Sequence, residues 1–474
     1  MAKNHRLILI NPWIYDFAAY DLWSKPMGLL MLASFLRKSG YNVIFVDCLD
    51  VYHPDMQHKG LGKPPKRREY GTGKFWKQVI PRPAPLDHIE RPYSRYGVHP
   101  EVLKNDLTKL PRPDAILITS LMTYWYPGVF EVITVAKEIH PNVPVILGGI
   151  YARLCHEHAK EYSGADHVVD SSEPSCLLSL LEGLGIEASP RRAPPVPHPY
   201  PAFDLLRSLD YVCILTSIGC PYRCRYCASG YLFPQFKQKS PDEVYREIAY
   251  WHQQWGVKDF AFYDDALLVN ARHHFIPLME KIIASGLKVR FHTPNAIHIR
   301  EVTREVAHLM KAAGFETIRI GLETADFSLR RHLDNKLSQG EFERGVRYLF
   351  DAGFHPRQIG AYILAGLPGQ SVESVANTID FVAANSVMPF IAEYSPLPHT
   401  QLWEKAVKAS EYDLNNEPLF HNNTLLPCWD QTKRARLPEL KQKIREVREK
   451  LRSSESICKM VVMLLLCIAK LIAP

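Results

Sequence analysis

The chain has 474 residues, 46% of them hydrophobic and 23% charged, with 57 Lys plus Arg against 50 Asp plus Glu. This composition excludes an intrinsically disordered chain, a collagen-like repeat and a disulfide-stapled miniprotein, and the length predicts about three domains. A formal charge of +7 permits an anionic ligand without demanding nucleic acid.

Met1 to Arg6 is followed by only four apolar residues, Leu7 to Ile10, before Asn11-Pro12, so no signal peptide is expected and the cytoplasm is the expected compartment. Ten cysteines in a reducing compartment are then not read as disulfides. Leu7–Ile10 reads as a buried strand, Met27–Lys38 as a helix ending at Gly40, and Val43–Val46 as a second strand. The βαβ rhythm resumes with Ala115–Thr119, a helix from Gly128 to Ile139, Val143–Leu147 before Gly148-Gly149, a weak strand His167–Val169 and a helix Ser175–Leu184. This predicts an open, doubly wound parallel sheet over residues 1–188. Residues 51–113, with Lys63-Pro-Pro-Lys-Arg-Arg68, read as an insertion, either a lid or packed on the sheet, its basic run a solvated surface. The linker 189–202 holds six prolines.

From residue 203 to 400 six further βα units are expected, with strands Val212–Thr216, Asp259–Tyr263, Lys288–His292, Thr317–Ile320, Gln358–Leu364 and Phe390–Glu393. Helices Pro241–Gln254 and His273–Ser285 fit between them. Six such units suit a partial TIM-like barrel with its chemistry at the strand C-termini. Residues 401–474 read as a helical extension. Leu440, Ile444, Val447 and Leu451 form one apolar stripe. Ile457–Ala473 is mostly apolar but interrupted by Lys459 and Lys470, and is expected to dock on the protein or on a membrane surface rather than to span a bilayer.

The strongest signal is Cys220-Pro-Tyr-Arg-Cys224-Arg-Tyr-Cys227, directly after the first strand of the second half. Zinc sites and ferredoxin runs usually bring a fourth ligand. Three thiolates can instead hold three irons of a 4Fe-4S cube and leave the fourth open to an exogenous ligand, which a reaction needs and an electron carrier avoids. Cys213, inside an apolar strand, reads as core.

This spacing resembles that of the radical SAM superfamily, and the resemblance covers roughly residues 200 to 400. It implies cluster ligands Cys220, Cys224 and Cys227, with S-adenosylmethionine on the open iron. Tyr226 matches the aromatic whose backbone contacts adenine. Phe262-Tyr-Asp264-Asp265 resembles the second-strand motif, whose acidic end receives the SAM ammonium. Arg319-Ile-Gly321-Leu-Glu323 resembles the fourth-strand motif, in which a carboxylate bonds the ribose or the methionine end. Gly360 to Gly369, with Gly366, resembles the glycine motif that admits adenine. Glu323 has a second reading as a salt-bridge partner of Arg319, and Asp264 or Asp265 as a helix N-cap. His292 reads equally as a cavity residue or a satisfied polar one.

A doubly wound domain before such a core resembles the cobalamin-binding class. The resemblance places cobalamin over the loops Asn11–Lys25, Ser120–Tyr126 and Gly148–Tyr151, with Ser120 or Thr123 bonding its tail and Gly148 and Gly149 giving it room. No D-x-H-x-x-G motif supplies an axial imidazole, and a sheet that serves only as scaffold would look alike. The class implies reductive cleavage of SAM to a 5'-deoxyadenosyl radical for cobalamin-dependent methyl transfer to an unactivated carbon. A radical rearrangement or cyclisation is the alternative, and a non-catalytic iron-sulfur or cobalamin sensor lies outside enzymes altogether. Expected partners are a small-molecule substrate and a flavodoxin- or ferredoxin-type donor, without nucleic acid.

Overall fold

The computed structural model describes residues 5–188, 198–334 and 336–453. Most of the proline-rich linker and the whole apolar segment Ile457–Ala473 lie outside them. Among the described residues no helix is long and apolar enough to cross a membrane.

Strands β1 (Arg6–Asn11), β2 (Asn42–Asp47), β3 (Ala115–Ile118), β4 (Val145–Leu147) and β5 (His167–Val168) form a parallel sheet in the order β5-β4-β3-β1-β2. Apolar side chains on both faces explain why these runs are buried. Leu7, Leu9, Ala115 and Leu117 pack on one side with the helix Met27–Ser39, while Ile8, Ile10, Ile116 and Ile118 pack on the other with Val129, Val132 and Ile133. The strand order reverses between β1 and β3, so the loops leaving these two strands open a crevice at their C-terminal ends.

The stretch read as a 51–113 insertion contains part of the sheet's own connectivity. Helix Pro100–Lys109, capped by the His99 side chain, is the crossover from β2 to β3. The remainder is knitted to the first loop. Ser94–Tyr96 pairs with Ile14–Asp16 and with Lys77–Val79, and Gly73–Lys74 pairs with Tyr20–Asp21. Of the basic run, Lys63, Lys66 and Arg68 are exposed and Arg67 is paired to buried Asp21 at 2.6 Å. The insertion is thus packed beside the sheet.

The second half is a six-stranded parallel sheet, β6 (Tyr211–Ile214), β7 (Asp259–Phe262), β8 (Arg290–Ile297), β9 (Phe315–Glu323), β10 (Ile359–Ala365) and β11 (Met388–Glu393), in chain order. The helix after Ser240 forms with a full capping box to Glu243. The helix expected from His273 begins at Phe275. β8 starts two residues later than expected and continues to Ile297, with register shifts that carry it past His292. His292 is therefore near the start of its strand. It is fully buried, bonded to Asp259 at 3.0 Å and Thr317 at 2.9 Å, and covered by Trp23 and Tyr70 at ring distances of 4.2 and 4.6 Å. The satisfied-polar reading of His292 is the correct one, and the first loop and the insertion close the N-terminal end of the barrel. Residues 437–453 form the expected helix, with Leu440 and Ile444 buried against the barrel's helices.

Candidate active site

The cysteine loop leaves a short hairpin strand, Ser217–Ile218, and is fixed from below by Asp264 at the end of β7. The buried Asp264 carboxylate accepts from the Thr216 N–H at 3.1 Å, the Thr216 hydroxyl at 2.7 Å and the Ser217 hydroxyl at 2.5 Å. Both its oxygens are engaged by this turn, and it caps no helix. Asp265, next in the chain, is exposed and accepts from the Ser229 hydroxyl, two residues beyond Cys227. The loop is tied on its other side by Arg225, whose N–H donates to Leu333 at 2.8 Å and whose carbonyl accepts from Leu402 at 3.0 Å.

Cys220 is half-buried, Cys224 buried and Cys227 exposed. Burial raises all three thiol pKa values, that of Cys227 to about 11. The counterweight is Lys336, a residue that no motif announced, in the turn beyond the helix Phe327–Arg331. Its ammonium bonds the Cys224 thiol and stands 3.5 Å from the Tyr226 hydroxyl, which donates weakly to Asp334 at 3.5 Å. Burial opposes the charge on Lys336, but Cys224, Glu323 and Asp334 outweigh it and hold the ammonium above its ordinary range.

Glu323 ends β9 with φ +66°, a left-handed conformation that side chains rarely adopt. Burial raises its pKa, and Lys336 works against that rise. Arg319 does not pair with it. Cys227 and Asp265 are exposed, and Glu323, Tyr226, Lys336 and Arg319 half-exposed, yet burial is the first cause acting on the pKa of each. Cys227, Asp265 and Glu323 follow or end β6, β7 and β9, so they stand at the C-terminal mouth of the barrel, with Arg319 four residues earlier on β9.

Among the described residues no three His, Cys, Asp or Glu side chains converge on a point suited to one metal ion. A cluster in which each thiolate meets its own iron asks instead for ligands spread around a volume. Three thiols on one loop beside an ammonium that favours their ionised form fit that requirement. Gly366 (φ +99°) is placed differently from its expected role of giving adenine room. A Cβ there would lie 2.8 Å from Leu426, and the Gly366 and Leu367 N–H groups both donate to the Gln370 side chain, at 3.0 and 3.2 Å. Its lack of a side chain serves the packing of this turn.

The second part of the site lies over the N-terminal sheet. Ser120 is buried, donates its hydroxyl to Gly148 O at 2.7 Å and accepts from the Ala152 N–H at 3.3 Å, so it joins the loop after β3 to the loop after β4. Gly149 (φ +99°) is required by the same contact, since a Cβ would fall 2.3 Å from Ser120 O. At Gly148 a Cβ would meet nothing within 4 Å. Gly148 therefore faces open space, whereas Ser120 and Gly149 are occupied in holding the two loops together. Thr123 is also committed, to His421 at 3.0 Å.

The crevice between β1 and β3 is bridged by the C-terminal extension. Buried Asp16 accepts from Trp125 at 2.8 Å and from Asn422 at 2.9 Å, and Tyr126 donates to Glu417 at 2.9 Å. The two halves of the site meet where Leu154, Ala228 and Leu232 form a small core with Ile150 and Leu397 against it.

The Radical SAM superfamily model matches residues 214–382, and the B12 binding domain model matches residues 95–175. An uncharacterized methyltransferase of Pyrococcus horikoshii is 26% identical over 347 residues, 66% of this chain and 74% of the relative. An anaerobic magnesium-protoporphyrin IX monomethyl ester cyclase of Cereibacter sphaeroides is 24% identical over 344 residues, 64% of this chain and 55% of the relative. The fold is shared with the radical S-adenosylmethionine methyltransferase TsrM of Kitasatospora setae, solved with cobalamin and a 4Fe-4S cluster, at TM-score 0.62 and 16% identity over 87% of this chain and 80% of that one. A match to the B12 binding domain model thus precedes a match to the Radical SAM superfamily model, and the three cysteines lie in the first loop of the latter's barrel.

Proposed function

We propose that the chain is a cobalamin-dependent radical SAM methyltransferase acting on an unactivated carbon of a small molecule, with electrons from a flavodoxin- or ferredoxin-type donor. The observation that carries this reading is the adjacency of the cysteine loop at the barrel mouth and the loop of Gly148 over the first sheet, joined through the Arg153–Leu232 contact. When bound, the 4Fe-4S cluster supplies the electron that cleaves SAM, and cobalamin carries the methyl group.

The chain's own residues hold and orient. Cys220, Cys224 and Cys227 ligate the irons, and Lys336 keeps positive charge at Cys224. Glu323 and Tyr226 face the SAM end of the lumen. Asp264 acts by setting the turn from which the cysteine loop leaves. Ser120 and Gly149 hold the loop that exposes Gly148. The C-terminal extension, through Asn422 and Glu417, closes the crevice toward water.

The Cereibacter sphaeroides relative is a cyclase, which keeps ring formation or rearrangement as the second reading. Anaerobic turnover after reconstitution with excess hydroxocobalamin separates the two by product. S-adenosylhomocysteine formed alongside 5'-deoxyadenosine supports methyl transfer, and 5'-deoxyadenosine alone with corrin retained supports rearrangement or cyclisation. A chain that forms 5'-deoxyadenosine but retains no corrin abandons methyl transfer and leaves the radical SAM assignment standing.

A further inference from the structure

Below Glu323, on the same strand, stands a cation, Arg319. Along β9, Ile318, Ile320 and Leu322 are buried toward the helices, so Arg319, Gly321 and Glu323 share the opposite face. Four residues of strand put Arg319 about 13 Å from Glu323. The Arg319 guanidinium donates to its neighbour's carbonyl, Ile318 O, at 3.1 Å and bonds the Tyr362 hydroxyl, which itself donates to Pro294 O at 2.9 Å. It lies over Phe390, 4.5 Å from the ring centroid. Gly360 makes this arrangement possible, because a Cβ there would come within 2.5 Å of the Phe390 ring and 3.2 Å of Arg319.

No carboxylate answers this charge among the described residues. Burial lowers the Arg319 pKa, and only Tyr362 opposes it. A second cation makes the imbalance larger. Arg448, from the helix at 437–453, lies over the same ring at 3.9 Å and donates to Pro389 O at 2.8 Å. Burial, then Arg452 and Arg319, lower its pKa to about 10. A walled-in guanidinium without a counter-ion is costly unless something negative completes it. Its planar fork matches carboxylate and phosphoryl oxygens, and the surrounding protein strengthens that attraction.

We propose that Arg319, oriented by Tyr362 and supported by the positive field of Arg448, is an oxyanion site that holds a carboxylate or phosphoryl group of the substrate. The assignment rests on the reading of the lumen as the substrate chamber. An anchor at this depth leaves the body of the substrate extended toward the SAM end, where its reacting carbon is presented.

The test uses the full chain and thermal melting titrated with inorganic phosphate or with succinate, against sodium chloride at equal ionic strength. At least one of the two anions stabilises the wild type, and Arg319→Met weakens its apparent affinity at least about tenfold. The anion that acts identifies the phosphoryl or the carboxylate class. Should Arg319→Met fail to fold, Arg319→Lys is read instead, and a reduced response supports the site. An unchanged response in the variant that folds, or no response of the wild type to either anion, overturns it and leaves Arg319 as a stacking residue of the barrel wall. Formation of 5'-deoxyadenosine by the reconstituted wild type is measured separately. Its absence defeats the radical SAM reading without touching anion binding.

Discussion

The guanidinium of Arg153 donates through Nη2 to the main-chain carbonyl of Leu232 at 2.7 Å. Its Nε donates to Asp170 O at 3.0 Å. One side chain thus ties the loop after β4, where Gly148 opens, to the short helix Ser229–Leu232 that follows Cys227. The bond stands beside the apolar cluster of Leu154, Ala228 and Leu232 at the same junction. Arg153→Met should lower stability by roughly 1 to 3 kcal/mol, the worth of a charge-assisted bond. It should also raise hydrogen exchange in residues 229–233, read by mass spectrometry. Unchanged exchange there would show that the apolar contact of Leu154 with Leu232 suffices.

The two adjacent glycines should separate in their effects. Gly149→Ala meets Ser120 and a positive φ, so a loss of at least about 2 kcal/mol in urea melts is expected with or without corrin. Gly148→Leu enters open space, so it should keep its melting curve and lose hydroxocobalamin binding. Equal losses of stability in both variants would refute the division of labour.

Glu323→Gln should leave iron content intact and weaken SAM binding by about 1 to 3 kcal/mol. Arg319 is not its partner, burial disfavours its charge, and Lys336 keeps Cys224 and Asp334, so the melting temperature should be held or raised. A fall in melting temperature with wild-type SAM affinity would make Glu323 a structural residue.

Lys336 favours the Cys224 thiolate, which burial disfavours. In the iron-free protein, Lys336→Met should therefore move the alkylation profile of Cys224 to higher pH. An unmoved profile would show that Lys336 does not act on the loop.

His421 tests the closure contributed by the C-terminal extension. It is buried, donates through Nε2 to Leu414 O at 2.8 Å, and burial lowers its pKa to about 4. The unfolded chain takes up this proton near the ordinary histidine value, so stability should be full at neutral pH and fall as pH drops from about 6.5 toward 4. Between pH 7 and pH 5 the loss is about 2 kcal/mol for this one group. His421→Gln should flatten that part of the urea-melt profile relative to wild type. A parallel profile would assign the pH dependence elsewhere.

Both sheets were legible in the sequence because their strands are buried on two faces and read as short apolar runs, while the strand order came from the structure. Helix Pro100–Lys109 was hidden because it begins inside a proline- and charge-rich stretch and buries only Val102, Leu103 and Leu107. The cysteine loop was legible from spacing alone. Lys336, Arg153 and Asn422 were not, since each reaches its place through a tertiary contact between segments far apart in the chain, which leaves no local pattern. Ser120, Gly149 and Gly366 lie in the turns where motif matching put them, but their atoms face the chain itself. A glycine in sequence does not tell whether the missing Cβ makes room for a ligand or for a neighbouring loop.

The central claim is tested most directly by the products of SAM. Full-length protein, reconstituted anaerobically with iron and sulfide and given SAM and dithionite, should form 5'-deoxyadenosine, and Cys224→Ala should form none and bind no 4Fe-4S cluster. Absence of 5'-deoxyadenosine from the wild type, or full cleavage with four irons retained by Cys224→Ala, would contradict the assignment of the cysteine loop as the reactive centre.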